Sequence, residues 1–161
     1  MMTIAVGDAL PAATLVKMTA DGPEKVETGN FFAGRRIALF SVPGAFTPTC
    51  SAKHLPGFID KADALKAKGI DEVAGTAVND AFVMGAWGKE QKAGDKVMML
   101  GDGGAEFTNA MGLSMDLTKN GMGVRSQRYA MIVQDGVIKD LFVEKPGAFE
   151  VSAAENVLKH L

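Results

Sequence analysis

The chain has 161 residues, of which 47% are hydrophobic and 22% are charged, and its formal net charge at pH 7 is −2. This is ordinary globular composition, and a chain of this length buries enough surface to fold as a single domain, here residues 1–161, without a metal or a disulfide. The near-neutral charge excludes the strongly basic classes, so we expect neither nucleic acid nor a membrane surface as a partner.

The termini and the cysteine content bear on the compartment. No segment approaches the roughly 20 consecutive apolar residues that cross a bilayer. The start of the chain, residues 1–8, has neither the positive charge nor the long apolar run of a secretory signal. Cys50 is the only cysteine, so no internal disulfide can form. We therefore expect a reducing, cytoplasmic location.

The first predicted elements are strands. Residues 10–18 and 25–26 are predicted edge strands around a polar turn at 21–23. Residues 36–42 form a continuous apolar run rather than an alternating one. Such runs are typical of strands that are buried on both faces, so this segment is predicted to lie in the centre of a sheet.

A long helix is predicted to follow. It covers residues 49–68, with an interruption near Pro56 and Gly57, and Gly69 ends it. One apolar stripe at helical spacing should face the sheet. The stripe consists of Phe58, Ala62 and Leu65.

Strands and helices alternate in the rest of the chain. They are predicted as strand 73–78, helix 81–92, strand 97–100, helix 105–113, strands 126–133 and 137–143, and a last helix that ends at Leu161. Asp80 and Ser152 are suitable caps for the helices that follow them. Asp135-Gly136 between two β-rich runs predicts a hairpin. This order indicates an α/β fold with a central mixed sheet and helices on both faces.

The segment 41–50, Ser-Val-Pro-Gly-Ala-Phe-Thr-Pro-Thr-Cys, joins the predicted central strand to the long helix. Thr47 is a suitable N-cap, and Pro48 suits the first helical position. Cys50 would then lie in the first turn, where free N–H groups and the helix dipole favour an anion such as the reactive thiolate. The alternative is a small buried hydrophobic residue, which is the usual role of a lone cysteine.

Four segments in the same order resemble those of the peroxiredoxins, thiol-dependent peroxidases with a thioredoxin-like fold, and the type II subfamily in particular. They are residues 42–51 with the pattern Pro43-x-x-x-Thr47-x-x-Cys50, residues 54–58, residues 78–83 and residues 128–136. The similarity runs from Val6 nearly to the C-terminus. It implies a thioredoxin-like fold and the reduction of hydrogen peroxide and alkyl hydroperoxides through a sulfenic acid on Cys50.

The resemblance implies catalytic roles for Cys50, Thr47, Arg128 and Pro43. The Thr47 hydroxyl can accept a hydrogen bond from the peroxide while donating one to the thiolate. Pro43 should shield the sulfur from water. Arg128 should keep the sulfur ionised and stabilise charge on the leaving oxygen, with a planar fork that lysine lacks. Arg125 either positions Arg128 or faces solvent.

Four further residues are expected to line the substrate site, namely Gly44, Phe46, Thr49 and His54. His54 lies one helical turn after Cys50, where a supporting role in tuning the thiol is expected. A Cys–His hydrolase pair is the alternative. Phe46, Phe82 and Trp87 are either core residues or the apolar centre of the dimer contact that is usual in the family, so a homodimer is expected.

The chain has no second cysteine to resolve a sulfenic acid. Some type II members carry one near the C-terminus, where this chain has residues 150–152, Glu-Val-Ser. Regeneration must therefore use an external thiol. The resemblance favours glutathione with glutaredoxin, and thioredoxin is the alternative. No metal or other cofactor is expected, since two histidines and one cysteine offer no ligand spacing. A redox sensor that is oxidised once remains a second hypothesis.

Overall fold

The computed structural model describes residues 3–161, which form strands and helices in alternation. The strands are β1 (Thr14–Thr19), β2 (Gly22–Glu27), β3 (Arg36–Ser41), β4 (Glu72–Ala77), β5 (Met98–Gly101), β6 (Ser114–Leu117), β7 (Gly123–Ser126), β8 (Tyr129–Gln134) and β9 (Val137–Val143). The helices are α1 (Thr28–Phe32), α2 (Leu55–Ala67), α3 (Ala81–Glu90), α4 (Glu106–Ala110) and α5 (Ala154–Lys159).

Seven of these strands form one mixed sheet in the order β2-β1-β5-β4-β3-β8-β9, and β6 and β7 form a separate antiparallel pair. β3 runs parallel to β4 and antiparallel to β8. The prediction of a central strand at 36–42 is therefore confirmed. The prediction of two N-terminal edge strands is only half right, because β5 pairs with β1 and leaves β2 alone at that edge.

Two hydrophobic cores cover the two faces of the sheet. One packs against α2, α3 and α5 and contains the predicted stripe of Phe58, Ala62 and Leu65, all fully buried. The other contains Phe31 and Phe32 of α1 and Phe107 of α4. The expected architecture, a mixed sheet with helices on both faces, is confirmed. None of the helices within residues 3–161 combines the length and apolarity that crossing a membrane requires.

The long helix was predicted to be interrupted near Pro56 and Gly57, but its irregular turn lies earlier in the chain. It continues through Pro56, and the irregularity is a π-helical turn, Cys50–His54, directly before α2. Leu55 donates its N–H to the Cys50 carbonyl, five residues back. A proline ring has no N–H and collides with the carbonyl four residues earlier, so a locally wider turn accommodates Pro56 without a break.

The predicted caps and turn have mixed outcomes. Asp80 caps α3 through a 2.9 Å bond from the Val83 N–H, and the hairpin turns at Asp135 (φ 48°) and Gly136 (φ 76°), as predicted. Ser152 does not cap the last helix: the N-cap residue is Ala153, which makes no side-chain cap bond, and the Ser152 hydroxyl donates to Glu144. The sequence analysis did not predict α1, β6 and β7, which are short and lack a clear periodicity of hydrophobic residues.

Candidate active site

The structure brings Cys50 and Arg128 together across 78 residues of sequence. Arg128 Nη2 lies 3.1 Å from Cys50 Sγ. Ser41 at the end of β3 pairs with Tyr129 at the start of β8. Because the loop to Cys50 leaves β3 at this end and Arg128 directly precedes Tyr129, the strand register places the guanidinium beside the thiol.

Cys50 lies in the first turn of the helical segment, as predicted. Pro48 is the first helical residue, and Ser51 donates its N–H to the Thr47 carbonyl at 2.9 Å. Cys50 itself is fully buried. The positive end of the helix and the adjacent guanidinium of Arg128 both place positive charge at this sulfur.

Thr47 has a different hydrogen-bond partner from the expected one. Its hydroxyl donates to the Gly44 carbonyl at 2.7 Å, so its single proton does not reach Cys50 Sγ in this arrangement. Within residues 3–161, no backbone N–H donates to the Thr47 hydroxyl oxygen, so the expected side-chain cap is not formed either. The oxygen lone pairs remain able to accept a proton from a substrate hydroxyl. The expected donation to the thiolate is therefore corrected, and Arg128 is the donor to the sulfur.

Pro43 and Gly44 form the wall next to Thr47. Pro43 is half-buried and lines a cavity together with Arg128. Gly44 is buried, and a Cβ on it would lie 3.1 Å from Arg125 Nη1 and 3.3 Å from Thr47 Cγ2. A larger residue at Gly44 would thus press on both neighbours. The guanidinium of Arg125 packs against this loop, while its Nε donates to the Met122 carbonyl at 2.9 Å.

His54 is buried and bonds to Arg128 rather than to the sulfur. Its Nδ1 lies 2.9 Å from Arg128 Nη1, and its Nε2 lies 3.1 Å from the Ser152 carbonyl. Burial and the Arg128 cation lower the pKa of His54 from 6.5 to about 3, against an opposing effect of the Ser152 carbonyl. A neutral imidazole with both nitrogens engaged is a poor general base, which disfavours the Cys–His hydrolase.

Burial of neutral His54 makes stability depend on pH. Above pH 6.5 the ring is neutral in both states, but below it only the unfolded chain takes up the proton, until the folded pKa near 3 is reached. We expect the free energy of unfolding to fall by about 2 kcal/mol from about pH 7.5 to about pH 5, at ~1.4 kcal/mol per unit. Urea denaturation of the wild type and of His54→Gln measures this fall.

The histidine prediction has an internal control in His160, which is exposed. His160→Gln should keep the pH slope, and His54→Gln should remove it in that window. Carboxyl groups with lowered pKa values act in the same direction, but only at lower pH. An equal slope in the wild type and in His54→Gln would contradict the prediction.

The remaining predicted residues differ in their burial. Phe46 adopts φ 64° and is 50% exposed, and Phe82 is 65% exposed. Neither is a core residue, whereas Trp87 is fully buried and is one. Thr49 is exposed. The sequence analysis left the three aromatic residues open between core and dimer contact, because the exposure of an aromatic residue has no local signature.

Two positioning contacts were not predicted. Asn79 Oδ1 accepts the Ala45 N–H at 2.9 Å, which ties the loop before Cys50 to the end of β4. Trp87 Nε1 donates to Ser51 Oγ at 3.0 Å, and Ser51 directly follows Cys50 in the chain. Asn79 lies in a segment that carried the family resemblance, which was the one available signal. Within residues 3–161, no group of three or more potential metal ligands is present.

Comparison with known proteins shows the family to which this chain belongs. The profile of the redoxin family matches residues 5–158. Peroxiredoxin-2E-2, chloroplastic, of Oryza sativa subsp. japonica is 56% identical over 164 residues, which cover 99% of this chain and 73% of that protein. Peroxiredoxin-2B of Arabidopsis thaliana is 46% identical over the full length of both. The crystal structure of reduced Prx3 from Vibrio vulnificus, in complex with hydrogen peroxide, has 54% identity and a TM-score of 0.95, covering 98% of this chain and 99% of that one.

The chain therefore belongs to the redoxin family and, within it, to the peroxiredoxins, the thiol-dependent peroxidases. Its thioredoxin-like fold and its resemblance to this family are confirmed. Cys50 is its only cysteine, which fits a one-cysteine member.

Proposed function

We propose that this chain reduces hydrogen peroxide and alkyl hydroperoxides through a sulfenic acid on Cys50, which an external thiol then regenerates. The observation that carries the proposal is the 3.1 Å contact between Arg128 Nη2 and Cys50 Sγ in the first turn of a helix. Both features place positive charge beside the sulfur, and the thiolate is the nucleophile of cysteine chemistry.

The chemistry at this site follows from the contacts. A sulfur lone pair attacks the terminal peroxide oxygen, the O–O bond breaks, and hydroxide or alkoxide leaves and takes up a proton. Cys50 is oxidised to the sulfenic acid and the peroxide is reduced. Arg128 stabilises charge on the leaving oxygen because a fixed cation is effective where water is excluded. Thr47 Oγ1 accepts a hydrogen bond from the incoming peroxide.

A cavity supports the inclusion of organic peroxides. It has a volume of about 230 Å³ and shares Pro43 and Arg128 with the site. Met115 and Pro146 supply apolar lining. An alkyl group has room in this cavity, next to Arg128 and Pro43.

The reductant must come from another molecule because the sequence has no second cysteine. Ser152 lies in the region where some type II members carry a resolving cysteine, and it is fully buried. We propose glutathione with glutaredoxin as the reductant, on the family resemblance, with thioredoxin as the alternative. We also propose a homodimer in which the exposed Phe46 and Phe82 contribute to the contact. The cytoplasmic location stays a prediction, and the similar proteins include chloroplastic ones.

The test is steady-state peroxide reduction with glutathione alone, with glutathione and glutaredoxin, and with thioredoxin. We expect turnover only with added thiol, fastest with glutaredoxin. Intact-mass analysis should show a species heavier by one oxygen, about 16 Da, or a glutathione adduct on Cys50. Fastest turnover with thioredoxin would reverse the reductant assignment, and a single oxidation without turnover would indicate a redox sensor.

Thr47→Val is expected to slow peroxide reduction by about a hundredfold, in the range for loss of one hydrogen-bonding group that contacts the transition state. Valine has nearly the shape of threonine but cannot accept from the peroxide or donate to the Gly44 carbonyl. Thr47→Ser keeps both capacities and should stay within a few-fold of the wild type. Second-order rate constants for hydrogen peroxide measure the difference. Equal rates for the valine and serine variants would exclude a role for the hydroxyl.

A further inference from the structure

A chain of hydrogen bonds extends from the reactive sulfur through Arg128 and His54 to the segment before α5. Arg128 donates through Nη2 to Cys50 Sγ and, at 2.9 Å, through Nη1 to His54 Nδ1. The second contact requires a lone pair on Nδ1, because a guanidinium nitrogen can only donate. His54 must therefore be neutral and carry its proton on Nε2.

The Ser152 carbonyl supplies the reason for that tautomer. It lies 3.1 Å from His54 Nε2, and a carbonyl oxygen can only accept. The histidine ring is also enclosed by Phe40, Phe58 and Phe149, with ring centroids 5.0, 5.6 and 5.1 Å away. In such surroundings a displaced Ser152 carbonyl would not be replaced by water, and the Nε2 proton would lose its partner.

The position of Ser152 depends on Glu144. One carboxylate oxygen, Oε2, accepts the Ser152 N–H at 2.9 Å, the Ser152 hydroxyl at 2.7 Å and the Glu150 N–H at 2.6 Å. Glu144 is only 7% exposed. Its own N–H donates to the Arg128 carbonyl at 2.9 Å. Glu144 is thus linked to Arg128 through the backbone on one side and through Ser152 and His54 on the other.

The carboxylate is ionised under ordinary conditions. Burial acts to raise the pKa of Glu144, but hydrogen bonds from Ser152, Glu150 and Val151 outweigh it and hold the pKa below its usual value. Hydrogen bonds to an ionised acceptor are about twice as strong as neutral ones, so the charge itself holds the segment in place.

We propose that Glu144 is a positioning residue for Arg128, acting through Ser152 and His54 to aim the guanidinium at Cys50. The inference rests on the proposed function, since the aim of Arg128 matters only for a reaction at Cys50. If Glu144 did not hold Ser152 and His54 in place, Arg128 would keep its hydrogen bond to Cys50 but lose the one to His54. A cation that is misplaced by about 1 Å loses much of its effect on the reaction.

Glu144→Gln tests the proposal. The amide is the same size but lacks the charge, and it brings donors that repel the Ser152 N–H. We expect the rate of Cys50 oxidation by hydrogen peroxide, measured in a single turnover without reductant, to fall by about tenfold. Glu155→Gln makes the same chemical change at an exposed position of α5 and should react like the wild type.

A double-mutant cycle separates positioning from general loss of structure. In an Arg128→Ala background, Glu144→Gln should have almost no further effect, because its route to the sulfur has been removed. A further tenfold loss in that background would overturn the proposal. Because Glu144 also borders the cavity, the cycle is repeated with a bulky alkyl hydroperoxide. A loss confined to that substrate would show direct contact and would likewise overturn the proposal.

A second readout does not depend on activity. The nitrogen chemical shifts of the His54 ring report its tautomer, and His160→Gln identifies the other histidine of the chain. The wild type should show the Nε2–H form with a slowly exchanging proton, and Glu144→Gln should show faster exchange or mixed tautomers. If the glutamine variant does not fold, Ser152→Ala removes one of the three hydrogen-bond donors to Glu144 Oε2. It should give the same change in the His54 ring spectrum, with about a threefold loss in the rate of Cys50 oxidation.

The outcomes distinguish the two proposals. If the wild type does not oxidise at Cys50, the proposed function fails. If the wild type oxidises rapidly and Glu144→Gln matches it in both rate and ring spectrum, only the positioning role fails.

Discussion

Cys50→Ser is expected to abolish thiol-dependent turnover of peroxide. Serine fits the fully buried position with little change in volume, but its hydroxyl stays protonated near neutral pH and cannot attack the O–O bond as the thiolate does. The rate should fall to the level measured without protein. Peroxide consumption with glutathione and glutaredoxin, followed through many turnovers, measures the loss.

The measurement must count turnovers because the chain also contains ten methionines, which peroxide oxidises slowly and once. Consumption that stops at a few equivalents is therefore background. A circular dichroism spectrum and thermal midpoint close to those of the wild type establish that the serine variant is folded. Continuous turnover by Cys50→Ser at the wild-type rate would contradict the assignment of the nucleophile and, with it, the proposed mechanism.

Arg128→Ala is expected to slow the reaction of Cys50 with hydrogen peroxide by about a thousandfold. The change removes a fixed cation 3.1 Å from the sulfur in a buried site, where electrostatic stabilisation of one developing charge is worth about 10²–10³ in rate. The single-turnover rate of Cys50 oxidation, followed without reductant, measures the loss.

Arg128→Lys is the matched variant. It keeps the charge but has one ammonium group in place of a planar fork, so it cannot bond to Cys50 Sγ and His54 Nδ1 together. We expect it to recover part of the rate lost in the alanine variant and remain about tenfold below the wild type. Arg125→Ala removes an arginine three residues earlier and should have a much smaller effect. An alanine variant within twofold of the wild type would show that Arg128 has no part in catalysis.

Much of the fold could be predicted because it follows from near neighbours along the chain. The continuous apolar run of β3, the stripe of α2, the Asp80 cap and the Asp135-Gly136 turn each depend on a few adjacent residues. The incorrect predictions concern positions where a contact between residues far apart in the sequence determines the local structure. Ser152 was predicted to be a cap because its type suits that role, yet the buried carboxylate of Glu144 engages its hydroxyl instead.

The site was predictable in part. Cys50, Thr47, Pro43 and Gly44 lie in one short segment, so their proximity needed no tertiary information. The Thr47 hydroxyl was expected to donate to the Cys50 sulfur but donates to the Gly44 carbonyl, because the loop folds back and places that carbonyl next to it. The path of the backbone in such a loop cannot be predicted from the residue types alone.

By itself, the sequence determined that a lone cysteine follows a buried strand and opens a helix, because strand burial and helix initiation are local consequences of residue type. It also determined that regeneration needs an outside thiol, since no second cysteine exists. Only the tertiary structure decided what surrounds that sulfur. The antiparallel register of β3 and β8 brings Arg128 to Cys50. The segment before α5 brings the Ser152 carbonyl to His54. Both contacts join residues that are far apart in the sequence, and only the packing of the whole chain determines them.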